Sequence, residues 1–242
     1  MWNRLLSSPL VYLYLAAGVL IAAPLGLLVP GKAALPLLQV AVAYPVMVSL
    51  LARGERGRAV ACMLWWALCL GAVMVTTVVR APNASADAIF HGPEYAAEMF
   101  HWIRTGIGAE GTPSRFIPQH LLHLGIFIGL SLATASLLSL LMGAVLMNYM
   151  SFYVGSLILA SNDFSTAVLV GWHPWSILRV AAFVVLGVVL AEPLISRLLK
   201  RSYRLAQAKL YLWLAAAGLA GDIIMKAALA PWWGLMLRKL IS

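Results

Sequence analysis

Two short segments place carboxylates and imidazoles at spacings that could bind a transition metal or carry protons. Glu98 and His101 are three residues apart in one segment, and His120 and His123 are three apart in the other. Side chains three or four residues apart share a face of an α-helix, which turns once in about 3.6 residues. Imidazole and carboxylate together suit zinc, iron, manganese or copper better than calcium or magnesium. If the two helices meet, the sequence predicts a metal site formed by Glu94, Glu98, His101, His120 and His123.

The alternative interpretation of these residues is a solvated polar face that binds nothing. Spacings of three arise by chance, and the zinc-protease pattern H-E-x-x-H is absent from the sequence. The fingerprints of nucleophile elbows, phosphate-binding loops and dinucleotide-binding folds are absent as well, which argues against ATP-driven or nicotinamide chemistry. The choice therefore depends on the elements that position the side chains.

The composition indicates an integral membrane protein. The chain is 63% hydrophobic and 10% charged, whereas soluble domains carry about 25% charged residues. A helical span needs about 20 apolar residues. We therefore predict an all-α, polytopic transmembrane helix bundle, a single domain over residues 1–242, with six spans as the fallback to seven. The predicted spans lie near 10–29, 34–52, 59–79, 120–147, 151–171, 176–195 and 210–229.

The distribution of basic residues sets the expected orientation. The net charge of +9 arises largely from clusters in 53–58 and 197–209, just beyond predicted span ends. Positive loops face the cytoplasm, so we expect a cytoplasmic N-terminus, a retained first helix and an external loop at 80–119. The compact loops favour a bacterial inner membrane. The expected partner is the lipid bilayer rather than nucleic acid.

Two amphipathic segments are predicted outside the spans. The first is a helix over about 93–104 in the external loop, with glutamate and histidine on one face and apolar side chains opposite. The second is an interfacial helix over 231–242, which contains Trp232 and Trp233. Either segment could dock a membrane protein partner.

Charged residues inside the predicted spans form the second candidate site. Asp222 and Lys226 are four residues apart, so they could neutralise each other in the seventh span. Asp163 falls in the fifth span. Ionisable groups within a membrane mark ion or substrate routes, so we predict a polar path through Asp163, Asp222 and Lys226. A purely structural Asp–Lys pair is the alternative.

Three functions remain open from the sequence. The leading hypothesis is a small transport protein, in which the outer histidines and glutamates receive a cation or protons above the polar path. The second is a metal-dependent enzyme acting on lipid or lipid-linked substrates at the outer leaflet, with Glu98 as the acid or base. The third is a membrane subunit without chemistry of its own.

Overall fold

All regular secondary structure is helical, with no strand, within the residues that the structure describes. The structure is a computed structural model that describes residues 2–203 and 205–241. Its helices, in chain order, are α1 (Trp2–Ser7), α2 (Leu10–Leu28), α3 (Ala34–Ala52), α4 (Arg56–Arg80), α5 (Pro82–Ala88), α6 (Gly92–Thr105), α7 (Pro113–Thr134), α8 (Leu137–Ala160), α9 (Phe164–Gly171), α10 (Pro174–Leu198) and α11 (Leu205–Arg238).

Seven of the helices in the described part of the chain are long and apolar enough to cross a membrane, namely α2, α3, α4, α7, α8, α10 and α11. Their apolar side chains, many of them exposed, require a lipid environment. The prediction of an all-α, polytopic bundle of about seven spans is confirmed.

The predicted fourth span, 120–147, is wrong in its bounds because α7 and α8 divide it. α7 ends at Thr134 and α8 begins at Leu137. The turn between them places Ala135 and Ser136 in the left-handed conformation, with φ values of 48° and 64°. Glycine or asparagine usually occupies such positions. Without either residue at this turn, the sequence carries no signal for it.

The predicted fifth span, 151–171, is also wrong. α8 ends at Ala160 and the short helix α9 follows at Phe164. Asp163 begins α9 by accepting a hydrogen bond from the backbone N–H of Thr166 at 3.0 Å. An aspartate in this position stabilises the start of a helix by satisfying one of its free N–H groups.

The turn between α7 and α8 is buried in the bundle. The Ser136 hydroxyl donates a hydrogen bond to the carbonyl of Gly187 at 2.6 Å, and Gly187 lies near the middle of α10. The Ser131 hydroxyl donates to that of Ser139 at 2.8 Å. Backbone and hydroxyl groups removed from water need such partners. The α7–α8 hairpin is thus fixed at its tip against α10.

α6 covers the segment 93–104 that the sequence predicts as an amphipathic helix. The segment 231–242 differs from its prediction, because α11 continues to Arg238 with Pro231 inside it. The end of α11 is held by contacts to other elements. Arg238 donates a hydrogen bond to the carbonyl of Ile103 in α6 at 2.8 Å, and Trp233 donates to that of Val170 in α9 at 3.0 Å. α6 and the end of α11 therefore lie on the same side of the bundle.

Candidate functional site

A cavity of about 980 Å³ lies between α6 and the spanning helices. Its walls come mainly from α6, α7, α8, α10 and α11, and Met47 of α3 and Trp66 of α4 lie in its lining as well. The predicted metal ligands all line this one cavity: Glu94, Glu98, His101, His120 and His123. The five predicted ligands therefore border the same cavity from two separate helices.

The geometry of these ligands does not form a metal centre within the described residues. No group of three or more His, Cys, Asp or Glu side chains there is arranged to hold a metal ion. Glu94, Glu98 and His101 are exposed on α6, whereas His120 is partly buried against α10 and α11. The transition metal thus stays a prediction from the sequence.

Glu110 and Lys226 form a buried ion pair at the wall of the cavity. The Lys226 ammonium donates a hydrogen bond to one oxygen of Glu110 at 2.8 Å. The indole of Trp175 donates to the other oxygen at 2.9 Å, and His173 Nδ1 lies 3.8 Å from that same oxygen. Glu110 comes from the glycine-rich loop between α6 and α7, so no helical spacing in the sequence singles it out.

The charges around Glu110 and His173 fix their protonation states at neutral pH. Burial raises the pKa of Glu110, but the nearby charges of Lys226, His173 and Arg179 outweigh burial and lower the pKa to about 2. Burial lowers the pKa of His173 to about 4, because the attraction of Glu110 only partly offsets it. His173 stacks on Trp175 with ring centres 4.7 Å apart. Glu110 is therefore ionised and His173 neutral near pH 7.

These two pKa values predict how stability depends on pH. His173 titrates at 6.5 when unperturbed and at about 4 in the folded chain. Its contribution to the stability of the fold is present above pH 6.5 and is lost as the pH falls towards 4. The contribution of Glu110 is lost in the same way between pH 4.5 and about 2. We expect the melting temperature in detergent to fall as the pH drops from 6.5 to 4. The change in unfolding free energy from one such group is at most about 1.4 kcal/mol per pH unit.

The matched variant for this prediction is His173→Phe, which preserves the aromatic stacking on Trp175 but cannot titrate. Its melting temperature should change less between pH 6.5 and 4 than that of the wild type. An identical pH profile for the two proteins would contradict the assignment of this loss of stability to His173.

A second buried carboxylate, Asp222, lacks the close hydrogen bonds that Glu110 accepts. Its Oδ2 atom lies 3.9 Å from both His120 Nδ1 and Arg179 Nε. These distances exceed those of hydrogen bonds. Its Oδ1 atom, like His120 Nδ1, is buried without a hydrogen-bond partner. The charge of Asp222 is thus stabilised only by groups that lie beyond hydrogen-bond distance.

The position of Arg179 sets the tautomer of His120. Arg179 contacts His120 Nε2 through one terminal nitrogen and donates from the other to the Ser176 hydroxyl at 3.0 Å. A guanidinium has donors only, so Nε2 accepts and the neutral imidazole carries its hydrogen on Nδ1. That hydrogen lies on the atom nearest Asp222.

Asp222 and Lys226 do not neutralise each other as their spacing suggested. Lys226 instead pairs with Glu110, and its ammonium lies 4.5 Å from the ring centre of Phe116. The partners of Asp222 and Lys226 come from three elements on one side of the bundle. These elements are the first turns of α7, the first turns of α10 and the loop after α6. For this reason, spacing along the sequence does not predict Glu110 and Arg179 as their partners.

The third residue of the predicted path, Asp163, does not line the cavity. It is exposed and caps α9. Other polar side chains in the spans have structural partners. Gln39 and Asn148 exchange two hydrogen bonds, of 3.0 and 2.8 Å, and Glu192 binds Arg56 at 2.6 Å. The charged part of the site therefore centres on Glu110, Lys226, Asp222, His120 and Arg179.

No protein-family model matches this chain, and neither a curated protein nor a solved structure is significantly similar to it.

Proposed function

We propose that this protein transports a cation across the membrane in exchange for protons, with the cavity as its substrate site and Asp222 as the exchanging group. The observation that carries the proposal is a buried carboxylate without a close hydrogen bond, at the wall of a cavity of about 980 Å³. Ionisable groups within membrane spans are costly, and they are typical of ion and proton routes.

The charge of the cavity supports a cationic substrate. Four of the chain's eight acidic residues line it, but only three of its seventeen basic residues. With neutral histidines, four negative and three positive charges leave a net charge of −1, in a chain whose net charge is +9. The acidic residues are Glu94, Glu98, Glu110 and Asp222, and the basic ones are Arg115, Arg179 and Lys226.

The difference between the two buried carboxylates supports an exchange mechanism. Glu110 is held by Lys226 and Trp175, so it remains ionised and fixes the geometry of the site. Asp222 has an oxygen without a partner, so it can accept either a proton or a cation. Binding of one displaces the other, which couples their movements. Because Asp222 is buried, loading requires His120 or Arg179 to move aside.

We also propose an orientation of the chain in the membrane. α6 and the mouth of the cavity face the outside of a bacterial inner membrane, and the N-terminus faces the cytoplasm. The basic cluster at 53–58 supports this orientation, because α4 runs from that cluster to the α6 side of the bundle.

A vesicle experiment tests the proposal. The protein is reconstituted into phosphatidylcholine–phosphatidylglycerol vesicles that contain the pH indicator pyranine, and potassium with valinomycin holds the membrane potential at zero. Sodium, tetraethylammonium or tetraphenylphosphonium is then added outside. Exchange predicts that at least one cation makes the interior more alkaline, relative to vesicles without protein. The absence of a protein-dependent pH change with all three cations would overturn the proposal.

A further inference from the structure

We infer that the substrate is a lipophilic organic cation, whose apolar body lies in the inner part of the cavity while its charge faces the carboxylates. This inference rests on the proposed function and names the substrate class. A small hydrated ion would leave most of the cavity without a role, because the ion needs only a polar path.

The lining of the cavity is mostly apolar and adaptable. Six of the ten methionines in the chain contribute to it: Met47, Met63, Met99, Met142, Met147 and Met150. Methionine is unbranched and polarisable, so such walls adjust to apolar ligands of different shapes. Seven aromatic side chains also line the cavity: Trp66, Phe90, Tyr95, Trp102, Phe127, Tyr149 and Phe183. Aromatic faces attract organic cations through their π-electrons.

The size of the cavity agrees with this substrate class. Its volume of about 980 Å³ lies at the upper end of the roughly 300–1,000 Å³ typical of small-molecule sites. Gly143 of α8 borders the open space, because a Cβ atom added there would meet nothing within 4 Å. A rigid body of several rings fits such a volume.

The basic side chains of the cavity do not cancel its attraction for a cation. Lys226 is bound by Glu110, the charge of Arg179 lies 3.9 Å from Asp222, and Arg115 is exposed on α7. Glu98 is exposed on the α6 wall and forms no ion pair with any described residue, and Asp222 keeps an oxygen without a partner. The carboxylates of Glu98 and Asp222 therefore face the same cavity as the apolar lining.

Two ions of the same shape and opposite charge test this inference. Binding of radiolabelled tetraphenylphosphonium and of tetraphenylborate is measured on the purified, detergent-solubilised protein immobilised on beads, with beads and detergent alone as background. We expect saturable binding of tetraphenylphosphonium that tetraethylammonium does not displace at similar concentrations. Tetraphenylborate, measured in separate samples because it precipitates with tetraphenylphosphonium, should show no saturable binding. Absence of saturable binding, or equal binding of the borate, would overturn the inference.

Two pairs of variants locate the binding site. Glu98→Gln should weaken tetraphenylphosphonium binding about tenfold, because it removes one opposite charge near the phosphonium. Asp87→Asn changes an exposed acidic residue outside the cavity, so it should not change the binding.

Gly143→Trp should also weaken binding about tenfold by occupying the cavity. Its control is Gly125→Trp, at an exposed position on α7 outside the cavity lining, where an added Cβ also meets nothing within 4 Å. Unchanged affinity in both Glu98→Gln and Gly143→Trp would refute the assigned site.

The binding experiment and the vesicle experiment test the two proposals separately. If sodium or tetraethylammonium drives proton exchange but tetraphenylphosphonium does not bind, transport stands and the substrate class is wrong. If tetraphenylphosphonium binds at this site but no cation drives exchange, the site stands and the transport proposal is wrong.

Discussion

Replacing Glu110 with glutamine is expected to lower the free energy of unfolding by about 3–5 kcal/mol, because the change leaves the Lys226 ammonium buried without its counter-charge. Glutamine can still accept the hydrogen bond from Trp175, so the loss reports mainly on the ion pair. The effect is measured as a decrease in the midpoint of thermal unfolding in detergent at pH 7.

The control for this prediction is the double variant Glu110→Gln with Lys226→Met. Removing both charges eliminates the unpaired ammonium, so the double variant should recover much of the lost stability. A double variant less stable than Glu110→Gln alone would show that Lys226 has another essential partner. In that case the pair would not be the main source of stability in this part of the fold.

Replacing Asp222 with asparagine is expected to reduce cation-driven proton exchange in vesicles by tenfold or more. Asparagine has nearly the same shape but cannot take up and release a proton, so the proposed exchange step is lost. Folding should be affected little, since Asp222 has only contacts of 3.9 Å to His120 and Arg179. The initial rate of alkalinisation, normalised to the amount of protein in the vesicles, gives the comparison.

Asp163→Asn is the matched control for Asp222→Asn. The sequence placed both aspartates on one polar path, but the structure places Asp163 at the exposed start of α9. Asparagine also caps helices, so this variant should fold and exchange as the wild type does. Equal losses in the two variants would contradict the assignment of exchange to Asp222.

Much of the fold could be predicted because bilayer thickness imposes strong rules on composition. The first three spans follow from apolar runs of the required length, and they match α2, α3 and α4 closely. The turn at Ala135 and Ser136 escaped these rules because serine hydroxyl groups, rather than glycine or proline, stabilise it. Tertiary hydrogen bonds of this kind leave no local pattern in a sequence.

The site could be predicted only where helical spacing brings its members together. The pairs Glu98–His101 and His120–His123 were identified this way, and all four side chains line the cavity. Glu110 was missed because it lies in a loop, and its partners Trp175 and Lys226 are 65 and 116 residues away in the chain. Spacing also paired Asp222 with Lys226, but each has its partners on other elements of the fold.

The central claim is that transport passes through the cavity between α6 and the spanning helices. The most direct test compares the rate of cation-driven proton exchange in vesicles containing Gly143→Trp with that in vesicles containing Gly125→Trp. An added Cβ meets nothing within 4 Å at either position, but only Gly143 lines the cavity. We expect Gly143→Trp to slow exchange about tenfold, equivalent to a barrier raised by about 1.4 kcal/mol, and Gly125→Trp to match the wild type. Equal rates in the two variants would contradict the claim.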